Sequence, residues 1–195
     1  MTIVSGQSTR TADEIISLFD LLFGEPQNTV LRHAKKDPEY LPCDAFNPQN
    51  RVLFANKFAT SALHEISHWC IAGKERLLQV DYGYWYEPDG RSPQQQERFL
   101  NFEANNQGLE WILAIACNID FHISTDNLDC NETDRLKQNQ EFALKVLYST
   151  LNYLERGLPP RAKMFVEGCW DQFGTKPSFD REILNLKAHQ SLPNH

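Results

Sequence analysis

No apolar run in the chain approaches the roughly 20 residues of a membrane-spanning helix. The first ten residues, Met1 to Arg10, also lack the apolar centre of a signal peptide. A cytoplasmic location with no membrane attachment is therefore expected. Positive charge is scarce as well: 19 Lys and Arg against 26 Asp and Glu leave a formal net charge of -7. That balance argues against nonspecific attachment to nucleic acid. The sequence has no phosphate-cradling glycine loop, Rossmann fingerprint, Ser-His-Asp order or internal repeat. Its five cysteines are scattered and never form a Cys-x-x-Cys pair, which fits reduced thiols and not a disulfide scaffold. What is present is a 41% apolar, 11% aromatic composition over 195 residues, enough for one core.

The densest chemistry lies in Ser61 to Cys70, which reads Ser-Ala-Leu-His-Glu-Ile-Ser-His-Trp-Cys. From Phe58 to Gly73 the only formally charged side chain is Glu65, so this run is predicted to be a buried helix. At about 100° per residue, positions four apart stack on one face. His64 and His68 then project together and can share a metal ion, while Glu65 is turned aside toward the open coordination positions. Such patterns also occur by chance on ordinary helices. Here, however, two imidazoles and a carboxylate would be buried at a cost that a metal offsets. Two histidines leave the site incomplete. A third ligand must come from elsewhere, and a divalent ion with a vacant position serves as a Lewis acid, a water activator or an oxygen-binding centre.

Thr11 as N-cap, Asp13 and Glu14 in the first turn, and the stripe Ile15, Leu18, Phe19, Leu22, Phe23 predict a first helix ending near Gly24. Short strands are predicted at Thr29 to His33 and Arg51 to Ala55. Between them a stretch with Pro38, Pro42 and Pro48 reads as loop or edge. The motif helix is expected from Lys57 to Ala72, with Gly73 at C′ and Lys74 and Arg76 favourable at its negative end. Val80 to Tyr86 has the aromatic density of a strand, and Glu87 to Arg91 reads as a turn. Its rings suit either cross-strand packing or the wall of a cleft.

Ser92 caps the next predicted helix, which carries Phe99, Phe102, Leu109, Ile112, Leu113 and Ala116 inward. Glu103 sits beside that stripe and is favoured over Glu97 and Glu110 as the third ligand. Glu110, seven residues on, lies on the same side. A loop from Asn118 to Asn131 carries His122, Asp126 and Asp129. Two more helices are predicted: Glu132 to Glu155 with Phe142, Val146, Leu147 and Leu151 inward, and Pro160 to Phe173 with Met164, Phe165 and Trp170 packed. Residues 175–195 lose periodicity and are expected to fray.

Spacing alone suits a zinc metallopeptidase, with Glu65 as the base that activates water. A longer match points elsewhere. His64-Glu-Ile-Ser-His68-Trp-Cys-Ile-Ala-Gly-Lys74, then Asp81-Tyr-Gly-Tyr-Trp-Tyr86 and Pro88-Asp-Gly-Arg91, closely resembles the bacterial elongation factor P hydroxylase family. The resemblance runs from the first helix to Pro160. It implies a monooxygenase-type enzyme that hydroxylates the modified lysine of translation elongation factor P, with a non-haem metal held by His64, His68 and Glu103. Two histidines and one carboxylate leave the positions that iron(II) needs for dioxygen.

The expectation is thus a single catalytic domain over 1–195 of α+β class, its helices packed around a small mixed or antiparallel sheet, with a zincin-like HExxH metal helix. Glu65 is the candidate catalytic residue. An extended lysine is long and cationic, so Tyr84, Trp85 and Tyr86 are candidate apolar walls, and Asp89 and Asp126 candidate partners for its amines. Arg91, with Lys74 and Arg76, is placed to meet acidic surface on the protein substrate.

Overall fold

The computed structural model describes residues 10–81, 92–124 and 132–175. Five helices accompany a three-stranded mixed sheet, which packs mainly on the first two of them: α1 (Ala12–Phe23), β1 (Thr29–His33), β2 (Glu39–Leu41), β3 (Asn50–Phe54), α2 (Ala59–Ile71), α3 (Pro93–Cys117), α4 (Glu132–Arg156) and α5 (Pro160–Phe173). The α+β class expected from the sequence is therefore the class observed. The strand order is β1-β3-β2, with β3 in the middle, parallel to β1 and antiparallel to β2.

Local chemistry sets the helix starts. The Thr11 hydroxyl accepts from the Glu14 N–H at 3.3 Å, and the Glu14 carboxylate accepts from the Thr11 N–H at 2.8 Å. Ser92 and Gln95 repeat this reciprocal cap at α3. The spacing of apolar residues then decides what each helix buries. Ile15, Leu18, Phe19 and Phe23 of α1 enter the core, where Phe19 and Phe23 meet Trp69 of α2 edge-on at 5.0 and 4.9 Å. These rings anchor the C-terminal half of the motif helix to α1, while His64 and His68 reach toward α3.

At its C-terminal end α2 departs from expectation. Gly73 does not take the left-handed conformation of a helix-ending glycine; Ala72 turns the chain out in extended geometry instead. The last carbonyls are served from outside, by the Arg161 guanidinium of α5, which donates to Cys70 O and Ala72 O and lies over the Trp69 ring at 4.6 Å. Arg76, beyond the helix end, is engaged with Asp81.

Two further differences have plain causes. The stretch read as loop or edge contains edge strand β2, made worthwhile by Tyr40, which is buried and donates its hydroxyl to Leu77 O at 3.1 Å. Met164, expected inside, is 40% exposed, because α5 turns Phe165, Val166 and Cys169 inward instead. Of the strand expected over Val80 to Tyr86, Asp81 forms an isolated bridge with Tyr40, and residues 82–91 lie outside the described residues. Among the described residues no helix is long and apolar enough to cross a membrane.

Helix α3 passes between α2, α4 and α5 and carries most of the second half of the core. Its close approach to α4 depends on Gly108: a Cβ there would stand 2.7 Å from Ser149 Cβ and 2.9 Å from the Thr150 nitrogen. Thr150 Oγ1 donates to Gly108 O at 3.2 Å across that contact. This packing holds one face of α3 against α4 and leaves Glu103 and Glu110 directed toward α2.

Candidate metal centre

His64 and His68 lie one turn apart on α2, and their Nε2 atoms are 3.1 Å apart. Glu103 reaches them from α3: its Oε2 is 3.9 Å from His64 Nε2, and its Oε1 is 3.5 Å from His68 Nε2. One donor atom from each residue falls within 4.8 Å of the others, the only such grouping of three or more His, Cys, Asp or Glu among the described residues. Metal bonds of roughly 2.1 Å meeting at about 90–109° separate neighbouring donors by about 3.0–3.5 Å. The two histidine nitrogens already meet that requirement. The two Glu103 distances run to different oxygens, so ligation through one oxygen needs a turn of that carboxylate toward both rings.

The outer nitrogens of the two rings are treated differently. His64 Nδ1 is 2.8 Å from Glu110 Oε2, whose side chain is 10% exposed, so Glu110 holds the Nδ1 proton and leaves Nε2 facing the centre. His68 Nδ1 is buried with no hydrogen-bond partner among the described residues, and the ring is held by packing, stacked on Phe102 with centroids 5.9 Å apart. Behind Phe102 stands the Arg76 guanidinium, 5.6 Å from its ring centroid. Arg76 itself grips Asp81 with two bonds of 2.7 and 2.8 Å. Ser67 Oγ lies 2.7 Å from both His64 O and Asn106 Oδ1, which ties the middle of α2 to α3.

Burial and charge set the protonation. Burial disfavours a charged His64, yet the hydrogen bond and charge of Glu110, with the charges of Glu65 and Glu103, push its pKa up to about 10. His68 goes the other way, well below the usual imidazole range, because it is buried and faces the positive charges of His64 and Arg76. Without metal, His64 is therefore the charged ring of the pair, its Nε2 3.1 Å from that of a neutral His68. Glu65 is pushed up to about 7, first by burial, then by the neighbouring carboxylates Glu103, Glu110 and Asp81, against the opposing pull of His64.

The centre opens on one side into a cleft of about 380 Å³. His64, Glu65, Glu103 and Glu110 line its floor, with Gln107 and His122 on the wall. Gln107 fixes that wall. Its amide donates to Ser124 O at 2.8 Å and its carbonyl accepts from the Ser124 N–H at 3.1 Å, while Phe121 stacks on Trp111.

The structure thus brings together His64, His68 and Glu103, with Glu65 beside them. Tyr84, Trp85, Tyr86, Asp89, Arg91 and Asp126 lie outside the described residues. The contact of Glu110 with His64 was not anticipated, although the spacing of seven from Glu103 had put both acids on one side of the helix. Gln107 carried no such signal, since a glutamine clamp on a loop backbone has no spacing of its own.

The profile of the elongation factor P hydroxylases matches residues 18–183. This chain belongs to the elongation factor P hydroxylase family. A relative from Haemophilus influenzae, named elongation factor P lysine hydroxylase, is 45% identical over 151 residues, which is 77% of this chain and 83% of the relative. The match to this hydroxylase family spans α2 and α3 and so includes every residue of the metal centre. Neither match lends support to the zinc-peptidase alternative.

Proposed function

We propose that this chain is an iron(II)-dependent monooxygenase that hydroxylates the modified lysine of translation elongation factor P, with dioxygen as cosubstrate. The observation that carries the reading is the convergence of His64, His68 and Glu103 beside an open cleft that His64 and Glu103 line, in a chain of the elongation factor P hydroxylase family. Two imidazoles and one carboxylate suit iron(II), which when bound supplies the activation of dioxygen. The ligand helix would then be zincin-like in sequence but oxygenase-type in chemistry.

The protein's own tasks follow from the geometry. Glu110 retains the Nδ1 proton of His64 and so presents the Nε2 lone pair. Stacking on Phe102 holds His68 in its rotamer, and burial keeps its ring neutral and able to donate. Glu65 is the acid that meets the substrate beside these ligands. A cleft of about 380 Å³ suits one long side chain better than a folded surface, so the lysine enters and the rest of the factor stays outside. Tyr84, Trp85 and Tyr86 as walls, Asp89 and Asp126 as partners of the amines, and Arg91 at the docking surface belong to the same reading, as does action in the cytoplasm without nucleic acid or membrane.

The direct test is metal content. Glu103→Ala should lose most of its bound iron while its circular dichroism stays that of the wild type. Full occupancy in a folded Glu103→Ala protein would mean that other ligands hold the ion.

A further inference from the structure

We infer that Glu65 is the acceptor for the ammonium group of the substrate, and thereby fixes which carbon of the lysine side chain meets the centre. The inference rests on the hydroxylase reading above and adds a task for the one acid of the cleft floor that has none. Glu110 is engaged with His64 at 2.8 Å, and Glu103 faces both histidines. Glu65 takes part in no hydrogen bond or ion pair among the described residues, although it lines both the metal cleft and the small cavity behind it toward Tyr40 and Asp81.

A carboxylate in that position needs a cation or a proton donor, because burial without either is costly. The cation next to it in the chain, His64, is already bonded to Glu110, and Arg76 is held by two bonds to Asp81. A ligand's ammonium group would be Glu65's own partner. Lysine and its amine-bearing derivatives carry one at the end of a run of methylenes, and this cleft of about 380 Å³ has the volume to take such a chain.

The chemistry of the reaction leads to the same assignment. A hydrolase needs a base at this position of the helix to take a proton from water. Hydroxylation of a C–H bond replaces hydrogen by hydroxyl and consumes no water, so it leaves the Glu65 charge for binding. A fixed ion pair beside the metal then acts as a ruler, because the number of methylenes between the ammonium and the metal selects the carbon.

The test measures affinity under nitrogen, with iron-loaded enzyme, for modified factor and for the same factor with its amines acetylated. Acetylation should weaken binding to the wild type by about 30-fold or more, the usual consequence of removing one partner of a buried charge pair. For E65Q, which keeps the shape of the side chain, acetylation should change binding less than about threefold. In air and with a reductant, E65Q and E65D should spread or move the hydroxylated position, read by fragmentation mass spectrometry. Equal losses on acetylation for wild type and E65Q, or an unmoved position in both variants, would overturn the inference while leaving the hydroxylase reading intact. A wild type that neither binds nor hydroxylates modified factor would remove both.

Discussion

The proton that His64 holds is the residue-scale feature with the most measurable consequence. With its pKa near 10, metal-free His64 is charged at neutral pH, and a metal must displace that proton. Between pH 7 and about 10 the folded metal-free protein holds a proton that the ordinary imidazole value of 6.5 would have released. Metal binding in this range should therefore release about one proton, and metal affinity should climb as pH rises. Calorimetry in two buffers of different ionisation enthalpy measures the release. The sign for stability is the reverse: the contribution of His64 to the metal-free fold is fully present below pH 6.5 and is lost as pH rises toward 10. Glu110→Gln keeps an acceptor for Nδ1–H but removes the charge. It should lower the proton release at pH 8 and weaken iron binding by roughly 10- to 100-fold. Unchanged release in that variant would mean that Glu110 does not govern His64.

At the scale of the element, helices α2 and α3 were legible where a period or a cap determined them. His64, Glu65 and His68 could be placed on faces because the helical repeat is rigid, and Ser92 marked the start of α3 because its cap is local. Glu103 followed from its position beside the apolar stripe. The end of α2 was not legible, since its carbonyls are capped by Arg161, 89 residues beyond Ala72. No local signal encodes a partner so distant. Strand β2 was missed for a related reason: three residues between prolines show no alternation, and only pairing with β3 and the burial of Tyr40 make them a strand. Arg161→Met, which keeps contact with Trp69 but loses both carbonyl bonds, should destabilise the fold by about 1–3 kcal/mol. Chemical denaturation measures that loss, and a midpoint equal to the wild type would contradict the capping role. Gly108→Ala should cost at least as much, about 1–3 kcal/mol, by pushing α3 off the backbone of α4. Because α3 carries Glu103, the same variant should also weaken iron binding.

At the scale of the whole molecule, one core serves two purposes. The ring cluster of Phe19, Phe23 and Trp69 fixes α2 against α1, and the α3–α4 contact fixes α3. Between them α2 and α3 then carry a dense set of ionisable groups beside a cleft: two imidazoles and three carboxylates. The family assignment points to hydroxylation of elongation factor P, and this arrangement offers the donor set proposed for that reaction. The peptidase alternative uses the same three ligand types, so ligand geometry alone does not separate the two chemistries.

The source of the added oxygen does separate them. Iron-loaded enzyme, modified elongation factor P and a reductant should be incubated under isotopically heavy dioxygen in ordinary water, and the modified lysine read by mass spectrometry. The account predicts the gain of one oxygen atom carrying the heavy label, none under nitrogen, and none in Glu103→Ala. An unlabelled oxygen taken from water, or cleavage of the chain that proceeds equally well under nitrogen, would contradict it.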